Sequence, residues 1–258
     1  MTKKALFFLA IFLNCGLLIA QNTLIRQPSI SPDATQMAFG YHGDIWVYNF
    51  STNQSKRLTI HQAYESNPIW NSEGSQLAFV SARRGAPNIF TTSLNGGVPK
   101  QLTYFPTTNL PSQWNADGRI IFDSNRMYKG PERESSIYVV HQDGGTPNRL
   151  MTALGSQAVI SPNGNFVAFV KGTCRIARED YNGPAQRDVW IYNLKTKQYH
   201  QITTSKKNDH TPLWDANNNL YYVGAESGRY NIYKTSLNSN GSASGNAQRL
   251  TKLNRDGV

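Results

Sequence analysis

Cysteine is nearly missing from this 258-residue sequence. Only Cys15 and Cys174 occur, and Cys15 lies in an apolar N-terminal stretch unlike the rest. Once that stretch is set aside no intrachain disulfide can form, so packing must hold the chain together. Charge is sparse as well. Asp, Glu, Lys and Arg make up 16% of residues, against roughly 25% in an average globular chain. Acidic residues are the scarcer sign, 16 against 26 Lys and Arg. Ala, Glu, Lys and Leu do not dominate, which argues against a coiled coil. Little charge beside 13 Tyr, 11 Phe and 5 Trp argues against disorder. Polarity comes instead from Asn (25 residues), Ser, Thr and Gln. Turn formers with abundant aromatics point to an all-β chain of many short strands. The length suits one large domain or two small ones and suffices to bury a core.

Residues 1–20 read as a secretory signal peptide. Lys3 and Lys4 form a positive start, and Ala5 to Phe12 is an unbroken apolar run that resumes from Leu17 to Ala20. The stretch is too short and interrupted for a membrane span. The expectation is an exported protein, periplasmic or extracellular, of a Gram-negative bacterium, with no stable membrane insertion. Loss of residues 1–20 leaves 24 basic against 16 acidic residues, a net charge of +8. Because the basic residues are dispersed and the chain is exported, nucleic acid is not the expected partner; a solvated surface or anionic envelope material is.

Internal repetition is the strongest signal. Five tetrads recur: Ser31-Pro32-Asp33-Ala34, Asn71-Ser72-Glu73-Gly74, Asn115-Ala116-Asp117-Gly118, Ser161-Pro162-Asn163-Gly164 and Asp215-Ala216-Asn217-Asn218. Pro28, Pro68, Pro111 and Pro212 precede four of them by a few positions, and Trp70, Trp114 and Trp214 directly precede three. Each tetrad leads into a short apolar strand (Met37-Ala38-Phe39 is the first) and then a second (Ile45-Trp46-Val47-Tyr48). Each unit closes on a Leu-Thr-like step, at positions 58, 102, 150, 202 and 250, a mean spacing of 48 residues. A Ser-Pro-Asp-Gly turn sets φ with Pro at its second position and supplies a positive φ at its fourth. Gly96-Gly97 and Gly144-Gly145 sit where hairpin turns should fall. The strands are apolar on both faces, as a sheet sandwiched between two neighbours requires. A β-propeller of four-stranded antiparallel blades is therefore expected over 21–258. About five complete blades belong to a six-bladed ring, truncated at the C-terminus, because seven further residues begin another unit and 21–27 form a free strand.

A search for chemistry finds little. Gly241-Ser242-Ala243-Ser244-Gly245 misses the nucleophile-elbow pattern, with Ala at its centre. There is no H-E-x-x-H, phosphate-cradling or calcium-binding loop. His42, His61, His141, His200 and His210 show no ligand spacing and read as turn or rim residues. Cys174 reads as a buried apolar side chain. No catalytic residue, metal or cofactor is expected. The candidate binding element is the long loop 171–187 of the fourth unit, with Arg175, Arg178 and Arg187 beside Glu179 and Asp180. Two readings stand: a basic rim contact for a peptide carboxylate or a neighbouring domain, or a self-contained network bracing the loop. The segment 123–135, with Arg126, Lys129 and Arg133, is a weaker second candidate, and Arg83-Arg84 reads as a loop brace.

The repeat resembles the PD40 or TolB-like propeller repeat. More specifically, the chain is similar to the N-terminal part of bacterial tricorn-type serine proteases, in their exported forms. The stretches that carry this are 26–33, 41–47, 61–68 and, most specifically, Cys174-Arg175-Ile176-Ala177-Arg178-Glu179-Asp180-Tyr181-Asn182-Gly183-Pro184-Ala185. The resemblance implies a six-bladed propeller, followed by a second propeller, a PDZ domain and a peptidase domain whose catalytic residues would lie beyond Val258. It implies a scaffolding and gating role, with peptide or protein substrate and the downstream domains of the same polypeptide as partners; oligomerisation stays open. A TolB-like protein-binding propeller and the propeller of a prolyl-oligopeptidase-type peptidase are the alternatives.

Overall fold

A computed structural model describes residues 24–126 and 134–253. The expected leader, 1–20, lies outside them. Twenty strands form five four-stranded sheets, each a consecutive antiparallel meander. The first holds β1 (Arg26–Ile30), β2 (Gln36–Tyr41), β3 (Asp44–Asn49) and β4 (Gln54–Arg57). The second holds β5 (Glu65–Trp70), β6 (Gln76–Ser81), β7 (Asn88–Ser93) and β8 (Lys100–Gln101). The third runs through β9 (Asn109–Trp114), β10 (Arg119–Ser124), β11 (Ser136–His141) and β12 (Gly144–Leu154). The fourth comprises β13 (Ser156–Ile160), β14 (Phe166–Lys171), β15 (Asp188–Asn193) and β16 (Tyr199–Gln201). In the fifth are β17 (Asp209–Trp214), β18 (Leu220–Gly224), β19 (Asn231–Thr235) and β20 (Gln248–Arg249).

The hydrophobic core is divided among the gaps between blades, which is why the strands are apolar on both faces. Val189 and Ile191 pack toward blade five with Leu220, Tyr222 and Tyr233. Trp190 and Tyr192, their neighbours in sequence, pack toward blade three with Ile121, Ile137 and Met151. The other two gaps are filled the same way, one around Leu77, Phe79 and Phe90, the other around Ile120, Phe122 and Tyr138. Burying one such side chain stabilises by roughly 1.5–3 kcal/mol.

Each repeated residue has a structural task. The fourth tetrad position does take positive φ, at Gly74 (68°), Gly118 (78°) and Gly164 (72°), but also at Ala34 (57°) and Asn218 (61°). The first position caps the turn: Ser31 Oγ accepts from Gln36 N at 2.9 Å and Ser161 Oγ from Phe166 N at 3.0 Å. Two of the preceding tryptophans rivet blades together. Trp70 Nε1 donates to Ser29 O at 2.9 Å and Trp214 Nε1 to Val159 O at 3.1 Å. Gly96-Gly97 lies in its hairpin turn, whereas Gly144 and Gly145 open β12, and the turn itself is Gln142-Asp143.

The closing Thr explains the Leu-Thr step. Thr59, Thr103, Thr203 and Thr251 each accept, at 2.9 Å, the first apolar amide of the third strand: Ile45, Ile89, Val189 and Ile232. Blade three, which has Met151 at that place, lacks the device. Thr103 is 1% exposed and passes its own proton to Asn88 Oδ1 at 2.9 Å. Thr103→Val keeps the shape but strands the Ile89 amide, so we expect a loss of about 1–3 kcal/mol. Chemical denaturation measures it, and a loss within error of zero would remove the hydroxyl from the account of the repeat.

Candidate functional site

The meander puts β1, β5, β9, β13 and β17 innermost and gathers two sets of segments at one end of the axis. These are the second-to-third-strand loops and the links between blades. Every inner strand has a bulge in its pairing with the next strand. Proline fits there because the channel-side amide needs no partner in the sheet. The residue at this place is left-handed in four blades: before the proline at Gln27 (46°), Asn67 (52°) and Thr211 (54°), and before Ala158 at Gln157 (55°). Such backbone outliers gather at ligand clamps. The inner strands enclose an axial cavity of about 570 Å³ walled by Pro28, Pro68, Pro111 and Pro212 with Ile69, Leu110, Val159 and Leu213. At its loop end the wall turns polar, with Asp123, Glu134, Gln157 and Arg187.

Of the three predicted arginines, Arg187 alone reaches this cavity. It stands just before β15, where the matching positions hold Gly43, Pro87, Ser135 and Tyr230, so the repeat does not require an Arg there. Its backbone is fixed on both sides: N donates to Asn208 Oδ1 at 2.9 Å and O accepts from Asp209 N at 2.9 Å. Its Nε donates to the carbonyl of buried Cys174. Burial lowers the guanidinium below its ordinary value. Gly172 makes this placement feasible: at φ 110°, a Cβ there would sit 1.9 Å from Gln186 O.

Arg175 and Arg178 stay on the outer surface of loop 172–187, exposed to solvent. The loop is braced chiefly from outside, by the link to blade five and by that blade, rather than by a self-contained network. Arg178 lies over the Tyr181 ring at 4.6 Å, Lys207 pairs with Asp180, and Arg229 approaches Glu179 at 3.7 Å. Tyr230 Oη donates to Ile176 O at 2.6 Å, and Glu179 O accepts from Asn208 N at 3.1 Å, tying the loop to blade five. Arg83 is a brace too, paired with buried Glu65. Arg126 likewise donates to Asn109 Oδ1 and lies over the Phe105, Phe122 and Tyr138 rings. Lys129 and Arg133 fall outside the described residues.

Three titratable groups at this end escaped the sequence reading. Asp123 is 7% exposed, with one backbone donor, Gln157 N at 3.3 Å; burial raises its carboxyl to about 6 despite the Arg187 charge. Asp209, 1% exposed, is raised to about 7, chiefly by burial. His210 is no rim residue: it is buried in β17, its ring edge on Tyr230, and burial with the Arg187 charge lowers it to about 4. A repeat-by-repeat alignment carries the missing signal. Blades two and three set Glu65 against Arg83 and Asn109 against Arg126, while blade five sets Asp209 against Glu226.

Successive four-stranded meanders around an axial cavity define a β-propeller. The profile of the Tricorn protease N-terminal beta propeller domain matches residues 22–255, and the chain belongs to that family. It is 30% identical over 117 residues to the uncharacterized peptidase YuxL of Bacillus subtilis, covering 41% of this chain and 18% of that protein. It is 23% identical over 229 residues to the tricorn protease of Thermoplasma volcanium, covering 84% and 21%. The Tol-Pal system protein TolB of Francisella tularensis is 27% identical over 156 residues, covering 57% and 35%. The chain thus spans about a fifth of these peptidases' length. Among solved structures, a tricorn protease superposes with a TM-score of 0.75 at 16% identity, over 90% of this chain and 22% of that one. A putative TolB from Agrobacterium tumefaciens gives 0.69 at 16% identity, over 88% and 80%. Identities this low in the solved structures speak to fold alone.

Proposed function

We propose that this chain is the non-catalytic propeller of an exported tricorn-type serine peptidase, where it scaffolds the enzyme and gates the admission of peptides. Membership of the tricorn propeller family over 22–255 carries this reading. The axial cavity with its charged loop end supports the gating role, and the Lys-Lys-apolar start of the sequence supports export. Arg187 is the residue proposed to meet the peptide, with Arg175 and Arg178 on the outer rim facing a neighbouring domain. A sixth sheet would complete the ring between blades five and one. Apolar residues crowd both of those outward faces: Leu213 and Ile232 on blade five, 56% and 41% exposed, and Ile30 on blade one, 51% exposed.

The purified 258-residue chain is expected to hydrolyse no peptide, measured with a mixed fluorogenic peptide library. Robust turnover that survives repurification would overturn the non-catalytic assignment. The TolB similarity favours one second reading, a propeller that docks envelope proteins. Capture of a peptidoglycan-associated lipoprotein from envelope extract would move the assignment there.

A further inference from the structure

Arg187 and Asp123 pose a question that neither scaffolding nor a brace answers. Each feels the other's charge, and both border one cavity. Yet no hydrogen bond or ion pair joins them among the described residues. Asp123, 93% buried by its 7% exposure, has a single backbone donor. The guanidinium spends its Nε on Cys174 O, and its two terminal nitrogens have no described partner. Both groups open onto the cavity with hydrogen-bonding capacity that no described residue uses, which suits an entering ligand of both charges.

We propose that the loop end of the axial cavity is a binding site for a zwitterionic α-amino acid. The ligand's carboxylate takes the free fork of Arg187, the geometry at which a guanidinium binds best. Its ammonium donates to Asp123. An apolar side chain would then lie along the channel against Ile69, Leu110 and Leu213. The two protein charges come from adjacent blades and border the same end of one cavity, an arrangement that opposite charges on one α-carbon can meet. A longer peptide separates its ammonium from its carboxylate and cannot satisfy both.

Hold of the loop base is part of the design. Arg187 is pinned by Asn208, Asp209 and Cys174, and Gln157 ties Asp123 to blade five. Gln157 N donates to Asp123 and its Oε1 accepts from Thr211 N at 2.9 Å. The guanidinium is therefore positioned before the ligand arrives, which lowers the ordering cost of binding. The site requires no attachment to a peptidase, and it shares Arg187 with the peptide contact proposed above.

Calorimetric titration of the 258-residue chain with L-leucine at neutral pH tests it. Saturable one-to-one binding is expected. N-acetyl-leucine, which lacks the ammonium, and leucinamide, which lacks the carboxylate, should each bind at least ~10-fold more weakly. Arg187→Gln and Asp123→Asn should each weaken leucine by a similar factor, with Arg187→Lys in between. Should a variant misfold, the three-ligand comparison on the unsubstituted chain still decides. No binding of leucine, equal binding of the acetylated or amidated analogue, or a Leu-Gly dipeptide binding as tightly as leucine would each overturn the proposal. The gating reading is untouched by any of these outcomes.

Discussion

Arg83→Leu is expected to cost about 3–5 kcal/mol, a third or more of the stability of an ordinary domain. Glu65, at the start of β5, is fully buried, and its Oε1 takes Arg83 Nε at 3.2 Å, Arg83 Nη2, and Ser81 Oγ at 2.8 Å. The guanidinium also roofs the Phe90 ring at 5.2 Å and the Phe79 ring at 5.7 Å. Leucine can replace the packing over the rings. It cannot replace the charge, so the carboxylate is left buried with a single hydroxyl. The penalty comes from the stranded partner more than from the lost pair, and that distinction can be measured. Glu65→Gln in the Arg83→Leu background should recover most of the loss, because blade three already runs the same position with the neutral Asn109. Urea denaturation of the two single variants and the double variant completes the cycle. If the double variant is no more stable than Arg83→Leu alone, the stranded-charge explanation fails.

That comparison also shows what the sequence made legible. Turn tetrads, two-sided apolar strands and the Leu-Thr step each follow from local chemistry that repeats every 48 residues or so, and repetition turns weak signals into a firm one. The blades, their strand order and the placement of the long loop were readable for that reason. The candidate site was only partly so. Arg187 was named for its charge, along with Arg175 and Arg178, but nothing local separates the one that enters the channel from the two that stay outside. What separates them is the close approach of Gly172 to Gln186 and the grip of Asn208, a residue of the link to the next blade. Asp123 and Asp209 were missed because a buried carboxylate looks like any other in sequence. Asp209 stands out where the repeat fails, as an acid at the Glu65 position of a blade that has Glu226 instead of Arg at the offset that serves Glu65.

Asp209→Asn should stabilise the protein at pH 8 and lose that advantage near pH 4 to 5. Asp209 is raised from 3.8 to about 7 by burial, with the Asp188 charge adding to it and the Thr203 and Ser205 hydroxyls and the Ala225 amide opposing. A carboxyl held neutral in the fold and ionised in the unfolded chain makes folding take up a proton. Its contribution is therefore complete below about 4 and is lost as the pH rises through 7. Asp123, raised to about 6, acts in the same direction over pH 4 to 6. His210 acts in the opposite one: lowered from 6.5 to about 4, it favours the fold above 6.5 and loses that support as the pH falls. Between pH 4 and 6 Asp123 and His210 offset one another, which leaves Asp209, with Asp188 raised by burial in the same direction, to set the slope. One proton over three pH units is worth as much as ~4 kcal/mol. Asn can still accept from the Ala225 amide and, through its own amide group, donate to Ser205 Oγ, so the substitution removes the titration without emptying the site. The carboxyls of Asp33, Asp117, Asp180 and Asp215 are all held below their ordinary value and stay ionised throughout this window. Stability curves from pH 5 to 8 should therefore slope downward for the unsubstituted chain and run nearly flat for Asp209→Asn. Two parallel curves would mean that Asp209 is ionised in the fold, and that something on the loop end of blade five compensates its charge.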